Sequence, residues 1–386
     1  MKLGITSSRL KSGWLWGAIA GLLAGAISGA AITTFRTEPQ LAQLSAQIAG
    51  ATSTSAIVTK PEIEIIPIET RPLLTSLPSA FDERRRSPVL QLLEITAGEA
   101  PITQEQTIGT AISVTSDGWL VTSYEALAGA KLSNLRIASA GKTVAIDRAI
   151  HDRHTDIVYL KIEASGLSVA DFVQARDVTV GAAAWTERQP SVLRPASIMS
   201  VRARREYVPV SSESSNRRFL ISGNKEDGAP GQPVWDGRGK LIGLYESYSE
   251  STGAWLVQPV GSIARDLANL LSSGSITHAG LSIFALDLED VILSSRPEGL
   301  PTSGAWLRPG EGGFSIAKTS PAFGKLEPSD VIERIERDIL EGKADLGEIL
   351  LEYRPDASVV ITILRGSERM EVDITLEEME TSVVLK

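Results

Sequence analysis

The chain has 386 residues, 42% of them hydrophobic and 22% charged, a balance that is ordinary for globular domains with an adequate core. It contains no cysteine, which excludes disulfides, thiolate nucleophiles and Cys-based zinc sites, and its three histidines (His151, His154, His278) argue against a dedicated His metal site. The net charge of −9 is uneven: from Gly280 onward there are 21 acidic and 11 basic residues, against 26 and 27 in the rest, so no basic footprint for nucleic acid is present.

Residues 1–11 carry Lys2, Arg9 and Lys11 and no acid, and residues 12–35 then run 24 positions without a charge. As a helix that run is about 36 Å long, enough to cross a hydrocarbon core of about 30 Å. The positive flank predicts a single-pass cell-membrane anchor with a cytoplasmic N-terminus and an extracytoplasmic bulk. A cleaved signal peptide is the competing reading, since the Ala-rich stretch offers cleavage sites. Gly13, Gly17, Gly21, Gly25 and Gly29 lie along one helix face, either as a packing seam for another helix or as ordinary glycine richness.

Residues 36–81, rich in Ser, Thr, Pro, Ala and Gln, read as a linker. From there to 274, short apolar and β-branched runs alternate with turns. Strands are expected at 89–95, 107–115, 119–123, 143–150, 157–162, 182–186, 192–202, 218–222, 233–235, 241–246 and 254–259. Ser116-Asp117-Gly118 and Asp236-Gly237-Arg238-Gly239 read as hairpin turns. Many short strands without a long helix predict an antiparallel sandwich or barrel pair, closed by an amphipathic helix at 262–272. A second module, 275–383, should hold strands at 281–284, 305–307, 359–364 and 370–375 around helical segments at 320–323 and 344–352.

Three ordered stretches resemble the trypsin-like HtrA (Deg-type) serine proteases. Gly109-Thr110-Ala111-Ile112-Ser113-Val114 and Asp117-Gly118-Trp119-Leu120-Val121-Thr122-Ser123-Tyr124-Glu125-Ala126-Leu127 resemble the family's Gly-Ser-Gly strand and the segment ending in Val-Thr-Asn-x-His-Val. Thr155-Asp156-Ile157-Val158-Tyr159-Leu160-Lys161 resembles Asp-Ile-Ala-Leu-Leu-Lys, and Gly228-Ala229-Pro230-Gly231-Gln232-Pro233-Val234 stands against Gly-Asn-Ser-Gly-Gly-Pro-Leu. Beyond them, Ser303-Gly304-Ala305-Trp306, Thr319-Ser320-Pro321-Ala322 and Pro328-Ser329-Asp330-Val331-Ile332 resemble the appended PDZ domain. The resemblance implies a mostly β fold: a trypsin-like double β-barrel over 82–274, then a PDZ-like α+β domain; the N-terminal transmembrane helix expected from the uncharged run precedes them.

The resemblance carries the triad onto Glu125, Asp156 and Pro230, so only the aspartate is kept. A serine triad needs a base, a nucleophile and N–H donors aimed at the oxyanion. Proline has no hydroxyl and no N–H, which leaves the Gly228 amide as the residual oxyanion donor. Ser211, Ser212, Ser214 and Ser215 read as an exposed polar loop and not as a replacement nucleophile. His151 and His154 read as surface loop histidines beside Asp156 and not as a relocated base. Glu125 and Asp156 should lie side by side, which raises one pKa or draws a cation between them, unless Glu125 turns to solvent.

In the C-terminal module, Gly280-Leu281-Ser282-Ile283-Phe284 resembles the loop that captures a peptide's terminal carboxylate on backbone amides, with Leu281, Ile283 and Phe284 lining the pocket. The expected function is a membrane-anchored pseudoprotease that binds polypeptides or regulates an active relative in protein quality control. The alternatives are an active serine endopeptidase of misfolded extracytoplasmic proteins and a structural partner in a mixed oligomer, since such proteases commonly form trimers. Neither a cofactor nor a metal is expected.

Overall fold

The structure is a computed structural model that describes residue 81, residues 87–95 and residues 106–386, apart from positions 128, 140, 294, 311 and 343. The expected membrane span and all of the expected linker except Phe81 lie outside these residues; Phe81 is buried in the core. Among the described residues no helix is long and apolar enough to cross a membrane.

Six strands close the first barrel: β1 (Val89–Glu94), β2 (Thr107–Ser113), β3 (Trp119–Ser123), β4 (Leu135–Ser139), β5 (Lys142–Asp152) and β6 (Ile157–Ile162). They follow the order β5-β4-β1-β2-β3-β6, and β6 pairs back to β5. The second barrel uses β7 (Ala183–Gln189), β8 (Val192–Arg204), β10 (Arg217–Ser222), β11 (Pro233–Asp236), β12 (Leu241–Ser249) and β13 (Ala254–Pro259). The short strand between β8 and β10, β9 (Val210–Ser211), leaves this barrel altogether. The two Asp-Gly turns join β2 to β3 and β11 to β12, where the sequence places them.

Side-chain alternation explains the near-continuous apolar strands. On β6, Val158 and Leu160 fill the first barrel, while Ile157 and Tyr159 join a cluster shared with Trp185, Trp235 and Leu244 of the second. On β3, Leu120 points into the barrel and Val121 toward the seam. Successive side chains face opposite ways, and here both faces are covered. The helix α1 (Ile263–Ser273) closes the seam with Ile263, Leu267 and Leu270, one apolar stripe, and ends on Gly274 at φ 82, whose N–H returns to Leu270 O.

The C-terminal module has its own core. Its sheet runs β20 (Glu368–Thr375), β19 (Ser358–Arg365), β17 (Val331–Ile335), β16 (Ala305–Leu307) and β15 (Phe284–Asp287), with β18 (Asp338–Ile339) on β17. Beside it, β14 (Thr277–Gly280) pairs with β21 (Glu377–Glu380), and α2 (Leu346–Leu351) is capped by Asp345, which accepts from the Glu348 N–H at 2.8 Å. The expected strand at 281–284 is instead the corner between β14 and β15, where Ser282 adopts φ 52. The expected helix at 320–323 is a turn. Two strands cross between the barrels and the C-terminal module: β9 adds to β15, and β22 (Ser382–Val384) pairs with β5 of the first barrel.

Candidate functional site

The triad positions meet on one seam. Glu125 sits in a 3-10 turn, Tyr124–Leu127, that directly follows β3. Asp156 precedes β6 at φ 58, and its carbonyl accepts from the Tyr124 N–H at 2.9 Å. Pro230 reaches over from the second barrel. A Cβ on Gly109 would lie 2.8 Å from Pro230 O and 3.0 Å from the Ala126 Cβ, so the glycine of β2 admits the Pro230 loop against the Glu125 turn.

The loop presents no free amide. The Gly228 N–H donates to Lys225 O at 3.3 Å, which overturns the expectation that it remains available as an oxyanion donor. The Ala229 N–H goes to Gln232 Oε1, the Gly231 N–H to Tyr245 O at 2.7 Å and the Gln232 N–H to Ala229 O, while Pro230 has none. The space beside the loop is filled as well. Trp255 stacks on Tyr245 at 4.7 Å, donates from Nε1 to Asn224 O and lies so close to Gly228 that a Cβ there would be 2.3 Å from its Cε2.

A cation intervenes between the two carboxylates. Arg205, just past β8, pairs through Nη1 with Asp156, lies 3.9 Å from Glu125 Oε1 and sets its Nε 3.1 Å from Glu246 Oε1 of β12. Beneath it Arg218, fully buried, pairs with Glu246 and donates to the carbonyls of Ser215 and Arg217 at 2.8 and 2.9 Å. Glu125 itself is 40% exposed at the rim. Sequence reasoning missed Arg205, Arg218 and Glu246. The available signal was Glu246 ending the apolar run Leu241-Ile242-Gly243-Leu244-Tyr245, since a charge there needs a buried partner.

The histidines are not on the surface, contrary to expectation. His151 lies on β5, stacks on Tyr124 at 4.1 Å, and its Nε2 is 2.9 Å from Asp156 Oδ1. Burial, with Arg153 and Arg205 nearby, pushes it down to about 4, so it is neutral at pH 7. Asp156 thus keeps an imidazole, from a position other than 125. His154 is buried beside Gly347 O and the edge of His278.

His278 links two buried acids. Its Nε2 is 3.1 Å from Asp152 Oδ2, and its Nδ1 is 3.9 Å from Asp266 Oδ1. These three groups lie within 4.8 Å of one another, close enough to consider a metal. The oxygens of Asp152 are already taken by Thr155, Thr381, His278 and the His154 N–H, so the arrangement is a hydrogen-bonded chain and not an open ligand set. Burial would raise Asp152, but His278, His154 and the Thr381 hydroxyl together outweigh it and hold that carboxyl low; burial pushes Asp266 up to about 6.

The 280–284 corner departs from expectation. Leu281 and Ile283 are fully buried in the module's core and line no open pocket, while Phe284 begins β15 and is half-buried. The N–H groups of Leu281 and Ser282 both donate to Glu213 Oε1, at 2.9 and 2.8 Å. The serines expected on an exposed loop are packed against this corner: Ser212 and Ser215 are buried, and the Ser212 N–H donates to Ile283 O at 2.8 Å.

No family model matches the chain. It is 26% identical over 281 residues to chloroplastic Protease Do-like 1 of Arabidopsis thaliana, covering 67% of this chain and 61% of that protein. It is 23% identical over 279 residues to the serine protease Do-like HtrA of Lactobacillus helveticus, covering 67% and 65%. The matched region is thus under two thirds of either relative's length. Among solved structures, the HtrA-type protease AlgW with a decapeptide superposes at a TM-score of 0.56 with 16% identity, over 79% of this chain and 99% of that one. AlgW with a tripeptide gives 0.57 and 17%, over 79% and 98%. The chain resembles HtrA/Deg-type serine proteases in sequence and has their fold.

Proposed function

We propose that this chain is an HtrA-like pseudoprotease, anchored in the cell membrane by residues 12–35 and working outside the cytoplasm. On this reading it binds polypeptides through its PDZ-like module or regulates an active relative in protein quality control. The observation that carries the reading is the 228–232 loop. It holds a proline at the nucleophile position, and every amide it has is already bonded. Acyl transfer needs a nucleophile and donors directed at the developing oxyanion, and this loop offers neither. Arg205 reinforces the point by engaging Asp156 as an ion-pair partner.

The test is incubation of the purified chain with unfolded casein, followed by mass spectrometry of the products and by capture of bound casein. Intact casein retained on the chain is the expected result. Cleavage that persists after the chain is purified free of contaminating proteases and that its own variants abolish would reverse the reading.

The second reading, an active serine endopeptidase, draws on the His151–Asp156 contact and on the names of the relatives. It requires a nucleophile from outside the Pro230 loop. Loss of casein cleavage in His151→Gln would favour it.

A further inference from the structure

We infer that residues 206–217 are a built-in ligand of the C-terminal module, and that a polypeptide ending in a free carboxylate binds the module by displacing them. The inference rests on the peptide-binding reading above and specifies how that site is regulated.

The segment sits as an added strand. Val210 and Ser211 pair antiparallel with Ala285 and Phe284 on the edge strand β15. The pairing continues past β9: the Ser212 N–H donates to Ile283 O at 2.8 Å, and the Ile283 N–H donates to Ser212 Oγ at 3.2 Å. The chain therefore runs toward the Leu281–Ser282 corner, and the next residue places a carboxylate on it. Glu213 Oε1 accepts both corner amides, and a Cβ on Gly280 would come within 2.9 Å of the same oxygen. Strand addition that ends in a carboxylate held by adjacent backbone amides is the geometry of C-terminal peptide capture. Here the carboxylate belongs to a side chain of the same molecule.

The opposite wall is α2. Asp345 Oδ2 accepts from the N–H groups of Asn216 and Arg217 at 2.9 and 2.8 Å, and a Cβ on Gly347 would lie 2.3 Å from Ser214 O. Between the segment and the module only about 40 Å³ of cavity remains, lined by Tyr207, Val210 and Leu346 among others. The groove is full. The two corner amides are backbone donors in a buried setting and need an acceptor. Glu213 supplies it until a competing carboxylate does. Because the segment is tethered at Arg205 and at Asn216, it competes at the high effective concentration of an intramolecular ligand. Weakening it should therefore appear as tighter binding of a free peptide.

The test uses the full-length chain, its Glu213→Gln variant, and a labelled hexapeptide, Tyr-Val-Pro-Val-Ser-Ser, which copies residues 207–212 and ends in a free carboxylate. A second form of the peptide ends in an amide. Fluorescence anisotropy should show E213Q binding the free-acid peptide at least tenfold more tightly than wild type, with the amide form bound by neither. Equal affinity of the two proteins for the free-acid peptide would overturn the built-in ligand and leave the peptide-binding reading standing. Equal binding of the amide form would overturn carboxylate recognition at the corner. Binding by neither protein up to millimolar peptide would overturn both the inference and the reading beneath it. Hydrogen exchange guards against a misfolded variant. The Leu281 and Ser282 amides should exchange at least tenfold faster in E213Q while core amides are unchanged. Unchanged protection of those two amides contradicts the inference.

Discussion

Arg205 and Asp156 form an ion pair across the seam between the two barrels. The first barrel contributes the acid and the second the base, and the same guanidinium continues to Glu246 on β12. Asp156 Oδ1 faces His151 while Oδ2 faces Arg205. Its charge is spent on joining the barrels.

The two arginines of this clamp should differ in weight. Arg218 is fully buried, so Arg218→Ala leaves the interior Glu246 carboxylate with only the partly exposed Arg205 and frees the carbonyls of Ser215 and Arg217, and should cost about 3–5 kcal/mol. Arg205 is about one third exposed, and water can replace part of what it supplies, so Arg205→Ala should cost about 1–2 kcal/mol. Urea unfolding of the two variants measures both, and equal losses would contradict the ranking.

Restoring the hydroxyl should not restore proteolysis. Pro230→Ser returns a nucleophile and an N–H, but the Gly228 amide stays turned to Lys225 O and the Gly231 amide to Tyr245 O. A single absent oxyanion donor costs about 10²–10³ in rate. Casein turnover by Pro230→Ser should therefore remain at background, and measurable turnover would mean that the loop rearranges.

Strand positions were legible because both barrels alternate buried faces: Trp119–Ser123, Ile157–Ile162 and Ala254–Pro259 agree with expectation to the residue. The strand Leu135–Ser139 was missed, since Leu135-Arg136-Ile137-Ala138-Ser139 is short and half polar. Motif order singled out Glu125, Asp156 and Pro230, and the structure brings these three together on one seam. The arginine clamp and Glu213 were not, because they depend on contacts between segments far apart in the chain. The His151–Asp156 contact was misread for a related reason: β5 runs on to Asp152, which moves His151 from a loop into a buried strand.

Gly231 should tolerate no side chain. It holds φ 78, and a Cβ there would lie 2.3 Å from Thr122 Oγ1 and 2.4 Å from Thr110 O. Gly231→Ala adds left-handed strain of about 1 kcal/mol to overpacking of about 1–3 kcal/mol. A fall in Tm of several degrees by calorimetry is expected, and an unchanged Tm would refute the close approach of the loop to β2 and β3.

Acid should act on the buried histidines. His151 and His154 are both pushed down to about 4, chiefly by burial. The unfolded chain takes up these protons near pH 6.5, before the folded chain does, so each histidine costs stability as pH falls from about 6.5 to 4. Asp266, pushed up to about 6 by burial, has the opposite sign: its contribution is present below its unfolded value and is lost as pH rises toward 6. His151→Gln keeps an N–H for Asp156 and removes one titration. Between pH 7 and pH 5 it should lose less stability than wild type, by on the order of 1 kcal/mol. Parallel pH profiles in urea unfolding would mean that His151 titrates alike in the folded and unfolded chain and would contradict its burial as a neutral group.

On the proposed reading, the protease scaffold is kept without its chemistry. Fluorophosphonate labelling of the purified chain, read by mass spectrometry of each serine peptide, tests it most directly. No labelled serine is expected anywhere in the chain, with a catalytically active HtrA-type protease labelled in parallel. A stoichiometric adduct on any serine of this chain would contradict it.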